Sequence, residues 1–357
     1  MGKRVMILAG GTGGHVYPAL AVARELIDRG NDVVWVGTRK GLEARVVPAA
    51  GIDIEWMSVE GVRGKGIKGL VKAPFMLIKA ILQSWSIQRK IRPDVVLGMG
   101  GFVSGPSGLV ASLSGIPLVL HEQNRVPGTT NRLLAPRAKV VLEAFAGSFP
   151  LKTGARVTGN PLRKEIVRLA HAVRERVDGA PLRILVVGGS LGAKALNELV
   201  PLALQQLGQP LEIKHQTGAA LRESTESRYQ ALGLDAEVVA FVEDMAAAYA
   251  WADLAICRAG AMTISELAVT GLPAILVPYP YAIDDHQTQN AAVLADAGAA
   301  VMIPQSELTS EVLAAELKAI IDSPQRLEKM SQEAYKAARP AAAEIVAAVC
   351  LENARSK

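Results

Sequence analysis

Val5-Met6-Ile7-Leu8-Ala9 runs directly into Gly10-Gly11-Thr12-Gly13-Gly14-His15, and then into Val16-Tyr17-Pro18-Ala19-Leu20. A short apolar run, a cluster of glycines and a helical pattern together read as a buried parallel strand turning into a helix. Such a turn leaves unhindered N–H groups at a helix N-terminus, where the partial positive charge favours an anion. Phosphate is the usual one. The dinucleotide fingerprint G-x-G-x-x-G would require glycine where Val16 stands. The next strand, read as Asp32–Val36, runs into Gly37-Thr38, with no carboxylate there for an adenosine ribose. Nowhere is a glycine followed by Lys-[Ser/Thr], which removes the Walker A loop. The loop therefore favours a diphosphate or sugar phosphate over NAD or ATP in their usual modes.

The rest of the chain sets this loop in a two-domain α/β protein. Its 357 residues exceed one ordinary core. Half the residues are hydrophobic but only 4% are aromatic, which suits small-residue contacts between helices and sheets rather than an all-β design. Two cysteines, Cys257 and Cys350, supply neither a disulfide framework nor a metal cluster and point to a reducing compartment. Lys3-Arg4 precede too few apolar residues for a signal peptide, and no run reaches the ~18–20 apolar residues of a membrane span. A soluble or peripheral protein is expected, with a mildly basic net charge of +5.

Strands read at Val5–Ala9, Asp32–Val36, Val95–Leu97 and Leu118–Leu120 are followed, after Pro181, by a restart at Arg183–Val187, Leu211–His215, Val238–Phe241, Leu254–Cys257 and Ala274–Val277. Both series begin with a strand feeding glycines, ILAGGTGGH and then ILVVGGSLGAKALN. Asp94-Val-Val-Leu-Gly leads through a helix to Gly115-Ile-Pro, and Asp253-Leu-Ala-Ile-Cys leads through a helix to Gly271-Leu-Pro. The expected architecture is two Rossmann-like, doubly wound domains with parallel sheets facing across a cleft. Gly159-Asn160-Pro161 interrupts regular structure and marks the boundary. Residues 1–160 then form the first domain, 161–340 the second, and 341–357 an Ala-rich terminal helix.

Two further glycine turns follow. Gly188-Gly189-Ser190 sets a hydroxyl beside a second phosphate-type loop. Arg258-Ala259-Gly260 enters a helix through Ala261-Met262-Thr263-Ile264-Ser265-Glu266, where Arg258 is placed to neutralise phosphate and Glu266 to accept two ribose hydroxyls. Taken alone, a carboxylate placed as Glu266 is more often a solvated helical side chain. Three such loops without a hydrolysis motif suggest a nucleotide that leaves as a diphosphate. His15 is either a structural histidine or a general base for a hydroxyl, the task to which an unperturbed imidazole, titrating near ~6.5, is suited. His121-Glu122-Gln123-Asn124, at the end of a strand, is denser in polar groups than an apolar core tolerates. Asp284-Asp285-His286-Gln287 holds the matching place in the second half, but without a spaced third ligand set it is not a metal site.

From Gly61 to Pro93 there is no acidic residue. Lys68, Lys72 and Lys79 share that stretch with Phe75, Leu82 and Trp85. One-sided basic charge beside aromatic and aliphatic side chains fits a surface resting on anionic lipid, and the alternative is a core-facing helix with a basic outer face. Nucleic acid is disfavoured, because aromatics at stacking positions are scarce.

Taken together, ILAGGTGGHVYPALAVARELIDRG, GMGGFVSGPSGLVASLSGIPLVLHEQNRVPG, VTGNPLR, VVGGSLGAKALN, RAGAMTISELAVTGLPAILVPYP and DDHQTQNA resemble the MurG family of bacterial N-acetylglucosaminyltransferases. The resemblance implies a GT-B fold and an inverting transfer of N-acetylglucosamine from UDP-N-acetylglucosamine to the C4 hydroxyl of undecaprenyl-diphospho-N-acetylmuramoyl-pentapeptide. It places the enzyme peripherally on the cytoplasmic face of the plasma membrane, alongside other cell-wall synthesis and division proteins. Arg163, Ser190, Val242, the run Ala261 to Glu266 (Ala261, Met262, Thr263, Ile264, Ser265 and Glu266) and Gln287 match donor-binding positions. Thr12, Gly13, Gly14 and Asn124 match binding positions contributed by the first half. GGTGGH and GGFVSG would meet the acceptor diphosphate through Gly13, Gly14, Gly101 and Ser104. No cofactor is required in this picture, with a divalent cation at most stimulatory, and the terminal helix would return to the first domain. His15 is the first choice of base and Glu122 the second, a choice the resemblance itself does not settle. The alternatives are another GT-B enzyme using a different sugar nucleotide, a UDP-sugar epimerase or hydrolase, or a membrane scaffold that only binds nucleotide-sugar.

Overall fold

A computed structural model describes residues 2–58, 66–170, 180–189 and 192–356. Its first sheet contains β1 (Arg4–Leu8), β2 (Asp32–Gly37), β3 (Asp53–Trp56), β4 (Val95–Gly98), β5 (Leu118–Glu122), β6 (Val140–Glu143) and β7 (Arg156–Val157). The second contains β8 (Leu182–Val187), β9 (Leu211–Gln216), β10 (Glu237–Val239), β11 (Leu254–Cys257), β12 (Ala274–Leu276) and β13 (Ala300–Met302). Their orders are β3-β2-β1-β4-β5-β6-β7 and β10-β9-β8-β11-β12-β13, and every pairing is parallel. The two doubly wound sheets expected from the alternating pattern are present. In each, the strand order reverses between the first strand and the fourth, and those two strands feed the glycine turns.

The continuous apolar runs follow from burial on both faces of a parallel sheet. Val5 and Ile7 face one core with Val95 and Leu97, while Met6 and Leu8 face the opposite core with Val96 and Leu120. Met6, Ile7 and Leu8 are fully buried, each contributing about 1.5–3 kcal/mol relative to exposure. The internal correspondence extends to strand starts. Asp94 Oδ2 accepts from the Arg4 amide at 2.7 Å, and Asp253 Oδ2 accepts from the Arg183 amide at 3.0 Å. In both sheets an aspartate before the fourth strand accepts from a backbone N–H at the start of the first strand.

Some elements differ from the pattern reading. The strand placed at Val238–Phe241 ends at Val239, leaving Phe241 half exposed, and β12 ends at Leu276. β3, β6, β7 and β13 carry weak signals, because they are short, lie toward the sheet edges or alternate with charge, as in Asp53-Ile54-Glu55-Trp56.

The chain divides into two compact units, Met1–Arg163 with Pro340–Lys357, and Lys164–Arg339. Asn160 and Leu162 are buried in the first unit, which carries its border slightly beyond Asn160. The terminal helix Ala342–Glu352 lays Val346, Ala347 and Cys350 into the core that holds Val5, Ile7 and Leu26. Small residues allow its close approach to the helix Gly13–Asp28. Beyond it, the Arg355 amide donates to Asp94 O and Lys3 Nζ donates to Arg355 O.

Candidate active site

The first glycine turn is built around a residue that the sequence pattern does not single out. After β1 the chain passes Gly11, at φ +97°, and enters the helix Gly13–Asp28, whose N-cap Thr12 makes no side-chain cap. Glu43, fully buried, accepts from the Gly11 amide at 2.9 Å, the Thr38 amide at 2.9 Å and Thr38 Oγ1 at 2.8 Å. A Cβ at Gly10, Gly37 or Gly41 would lie 2.7, 2.7 or 2.0 Å from this side chain. A carboxylate thus does lie near the end of β2, but it is turned inward and shapes the loop rather than meeting a ribose. The only local signal is the pair of glycines in Gly37-Thr-Arg-Lys-Gly-Leu-Glu. Thr12 and Gly14 remain exposed at the helix entrance, and Gly13 is half-buried.

The turn after β4 locks onto the first. A Cβ at Gly101 would sit 2.4 Å from Gly10 O, and one at Gly100 would sit 2.9 Å from His15 Cε1 and Nδ1. Gly101 therefore belongs to the same corner as Gly10 and His15. Ser104 does not serve as expected. It is fully buried, and Oγ donates toward Leu8 O at 2.8 Å and Gly100 O at 2.6 Å, so its single proton is committed to bracing the two turns. Phe102, between them, is 56% exposed.

His15 is half-buried, and its Nδ1 lies 2.8 Å from Gln123 Oε1. Gln123 Nε2 lies 3.1 Å from His121 Nδ1, and His121 Nε2 lies 2.9 Å from Gly159 O. Burial lowers the His121 pKa to about 4, the main cause being loss of water around the charged form, partly offset by the Gly159 hydrogen bond and nearby Glu122. Glu122, the second candidate base, has a different task. It is 1% exposed, and its oxygens accept from the Asn124 amide at 3.0 Å, Asn124 Nδ2 at 3.2 Å, the Gly128 amide at 3.0 Å and Asn131 Nδ2 at 2.9 Å. Four donors fill the lone-pair positions of a carboxylate, which shapes this loop and holds the Asn124 amide inward. Arg163 lies in the first unit, its guanidinium 5.7 Å from the centre of the Tyr17 ring on the turn after His15.

In the second unit, Gly189 and Gln216 exchange two hydrogen bonds, amide to Oε1 at 3.1 Å and Nε2 to carbonyl at 3.0 Å. Ser190 lies outside the described residues. The helix Ala261–Thr270 starts from Gly260 with no side-chain cap, so its first N–H groups stand at the turn after β11. Tyr249 Oη donates to Glu266 Oε2 at 2.9 Å and holds that carboxylate, which is 9% exposed. Ile264 is fully buried in the helix–sheet core and Ala261 nearly so, leaving the backbone as what either presents. Met262, Thr263 and Ser265 are half-buried, and Ser265 Oγ donates to Ala261 O at 3.1 Å. Gln287 Oε1 accepts from the Ala259 amide at 3.2 Å and the Tyr279 amide at 2.9 Å, joining the third glycine turn to the loop that precedes it. Val242 is half-buried just beyond β10.

Arg258 is also otherwise engaged. Its guanidinium donates to Val277 O at 3.0 Å, Pro278 O at 3.1 Å and Gln305 Oε1 at 2.6 Å, so it braces strand ends. Among the described residues, no group of three or more His, Cys, Asp or Glu side chains is placed to hold a metal ion.

The basic stretch forms the helix Gly66–Ile91. Ala80, Ser84, Gln88 and Ile91 face inward, whereas Phe75, Leu77, Ile78, Leu82 and Trp85 are 48–76% exposed. Lys79 is exposed among them, and Arg89 stacks 4.6 Å from the Trp85 ring centre. The side chains of Lys68 and Lys72 lie outside the described set. No helix among the described residues is long and apolar enough to cross a membrane.

Two parallel doubly wound units with glycine turns at their switch points suit a GT-B protein, and comparison with known families makes it a glycosyltransferase. Residues 5–143 match the glycosyltransferase family 28 N-terminal domain and residues 183–346 the glycosyltransferase family 28 C-terminal domain. The chain is 60% identical over 355 residues, 99% of each chain, to the UDP-N-acetylglucosamine–N-acetylmuramyl-(pentapeptide) pyrophosphoryl-undecaprenol N-acetylglucosamine transferase of Methylococcus capsulatus. It is 52% identical to the enzyme of the same name from Azotobacter vinelandii, over 99% of this chain and all of that one. The crystal structure of Acinetobacter baumannii MurG superposes with a TM-score of 0.86 at 45% identity, covering 98% of this chain and 99% of that one. The chain belongs to the MurG family of N-acetylglucosamine transferases. A UDP-GlcNAc 2-epimerase from Neisseria meningitidis, with a TM-score of 0.68 at 13% identity over 98% of this chain and all of that one, shares the fold alone.

Proposed function

We propose that this chain transfers N-acetylglucosamine from UDP-N-acetylglucosamine to the C4 hydroxyl of undecaprenyl-diphospho-N-acetylmuramoyl-pentapeptide, with inversion at the sugar C1. The observation that carries this reading is the unequal equipment of two similar glycine corners. The first presents an imidazole, His15, beside Gly13 and Gly14. The second presents the helix Ala261–Thr270, entered from Gly260, with Glu266 one turn along it. The first suits an attacking hydroxyl and the second a departing nucleoside diphosphate.

In the reaction, His15 Nε2 takes the proton of the acceptor hydroxyl, whose oxygen forms the new bond to C1. The bond from C1 to the β-phosphate oxygen breaks, and the electron pair leaves with UDP. Charge growing on that diphosphate is met by the N–H groups of Gly260 to Thr263 and the helix dipole, a preorganised term commonly worth about 3–4 kcal/mol for one such donor. Glu266 accepts from the ribose hydroxyls. Arg163, Ser190, Val242, Gln287, Thr12 and Asn124 complete the donor contacts, and Gly13, Gly14 and Gly101 the acceptor diphosphate. Neither step asks for a metal, and a divalent cation would only assist the leaving group.

The exposed stripe Phe75, Ile78, Leu82 and Trp85, with Lys79 and Arg89 beside it, supports docking on an anionic bilayer at the cytoplasmic face, where the acceptor's lipid is anchored. The decisive experiment incubates the protein with the lipid acceptor and a panel of UDP- and GDP-sugars. A β-1,4-linked product from UDP-N-acetylglucosamine is expected. Turnover of a different donor only would overturn the assignment, and donor consumption without acceptor would indicate an epimerase or hydrolase.

A further inference from the structure

Among the described residues, His15 reaches no carboxylate through its ring nitrogens; its Nδ1 partner is an amide, and the chain of contacts behind that amide has one consistent assignment of protons. Gly159 O can only accept, so His121 Nε2, 2.9 Å away, carries a proton. Burial keeps His121 neutral near pH 7, so its Nδ1 bears a lone pair and needs a donor. That donor is Gln123 Nε2 at 3.1 Å, whose second hydrogen goes to His121 O, also at 3.1 Å. The amide is thereby held with its nitrogen toward His121 and its oxygen toward His15 Nδ1 at 2.8 Å. An amide oxygen accepts only, so His15 Nδ1 is the protonated nitrogen.

Packing keeps the relay in place. Gln123 is 1% exposed, and Asn160 Nδ2 donates to its backbone carbonyl at 3.1 Å. Gly100 lies flat against the Cε1–Nδ1 edge of His15, where even a methyl group would be 2.9 Å away. Two residues that need touch no substrate therefore determine which nitrogen of His15 can accept a proton, a role normally given to a partner of the second ring nitrogen.

We propose that Gln123 is a positioning residue for the transfer: its amide, oriented by His121, keeps the His15 proton on Nδ1 and leaves the Nε2 lone pair for the acceptor hydroxyl. The proposal rests on His15 being the base, and its test separates the two. Full-length protein labelled with 15N-histidine is examined at a pH of about 8, above the ordinary histidine range. The His15 signals are assigned by their loss in His15→Ala. A protonated, pyrrole-like Nδ1 and an unprotonated, pyridine-like Nε2 are expected for His15, with the reverse pattern for His121. Gln123→Met should mix the His15 tautomers and lower kcat by about 10- to 100-fold, a part of what general base catalysis supplies, with KM for both substrates unchanged. Gln123→Glu keeps an acceptor for Nδ1–H and should recover both the tautomer and part of kcat. A pyrrole-like Nε2 on His15 in the parent, with His15→Ala inactive, overturns this proposal alone. An unaltered tautomer in Gln123→Met does the same. Full turnover by His15→Ala overturns the base reading and this proposal with it.

Discussion

Gly100 and Gly101 are adjacent, both have positive φ (+93° and +81°), and alanine at either position carries a similar backbone strain of about 1–3 kcal/mol. What a new methyl group would strike differs. At Gly101 it would lie 2.4 Å from Gly10 O, part of a backbone braced by β1 and by Ser104. Relief requires moving a glycine turn by about 1 Å, and overpacking of that kind adds roughly 1–3 kcal/mol. At Gly100 the methyl group would lie 2.9 Å from His15 Cε1 and Nδ1, the end of a side chain that can move. A displacement of about half an ångström restores contact there at little further cost in stability. It falls on the proposed base, however, where a shift of about 1 Å can cost around a hundredfold in rate.

Gly100→Ala should therefore lower kcat by about tenfold with a loss of stability limited to the strain. Gly101→Ala should be less stable than Gly100→Ala by about 1–3 kcal/mol. Urea unfolding monitored by tryptophan fluorescence and steady-state kinetics on both variants provide the comparison. Parental kcat in a folded Gly100→Ala protein would refute the placement of His15 against that glycine. Equal stability of the two variants would refute the interlocking of the turns.

His15→Ala should lower kcat by about 10²- to 10⁴-fold while leaving donor affinity intact, read by steady-state kinetics and calorimetry. Glu266→Ala should weaken UDP binding by roughly 1.5–3 kcal/mol, the worth of hydrogen bonds to a charged group, and equal affinity by calorimetry would remove the ribose role. Charge reversal of Lys68, Lys72 and Lys79 should weaken binding to vesicles containing anionic lipid by at least about 1 kcal/mol per residue, and persistent binding would place the membrane surface elsewhere. His121 and His215 have pKa values lowered from 6.5 to about 4 and about 3, with burial the leading cause for both. The unfolded chain then binds protons that the folded chain does not, so stability should fall progressively as pH drops from about 6.5 toward 4, as read by urea midpoints across that range.

Much of the architecture was legible because it depends on local chemistry. A parallel strand buried on both faces must be apolar throughout, and a tight turn into a helix must use glycine. Those two demands repeat along the chain and reveal both sheets and their switch points. The short outer strands β3, β7 and β13 were not legible, since an edge strand needs fewer apolar residues and β13 has only three in which to show a period. The candidate site was legible in its location more than in its roles. GGTGGH, HEQN and RAGAMTISE all fall at strand ends where ligands bind in such folds.

Roles depend on partners brought from distant parts of the chain, and they came out differently residue by residue. Ser104 is taken by the carbonyl of Leu8, Glu122 by Asn124, Gly128 and Asn131, and Arg258 by Val277, Pro278 and Gln305. Glu43, inconspicuous in sequence, became the buried support of the first loop, and Gln123 became the link between two histidines. Composition and periodicity dictate where backbone N–H groups gather, because that follows from the turn itself. Whether a polar side chain can meet a ligand depends on whether another part of the protein has already claimed its donors and acceptors. Tertiary packing alone settles that question, since an unpaired buried polar group costs too much to leave unmet.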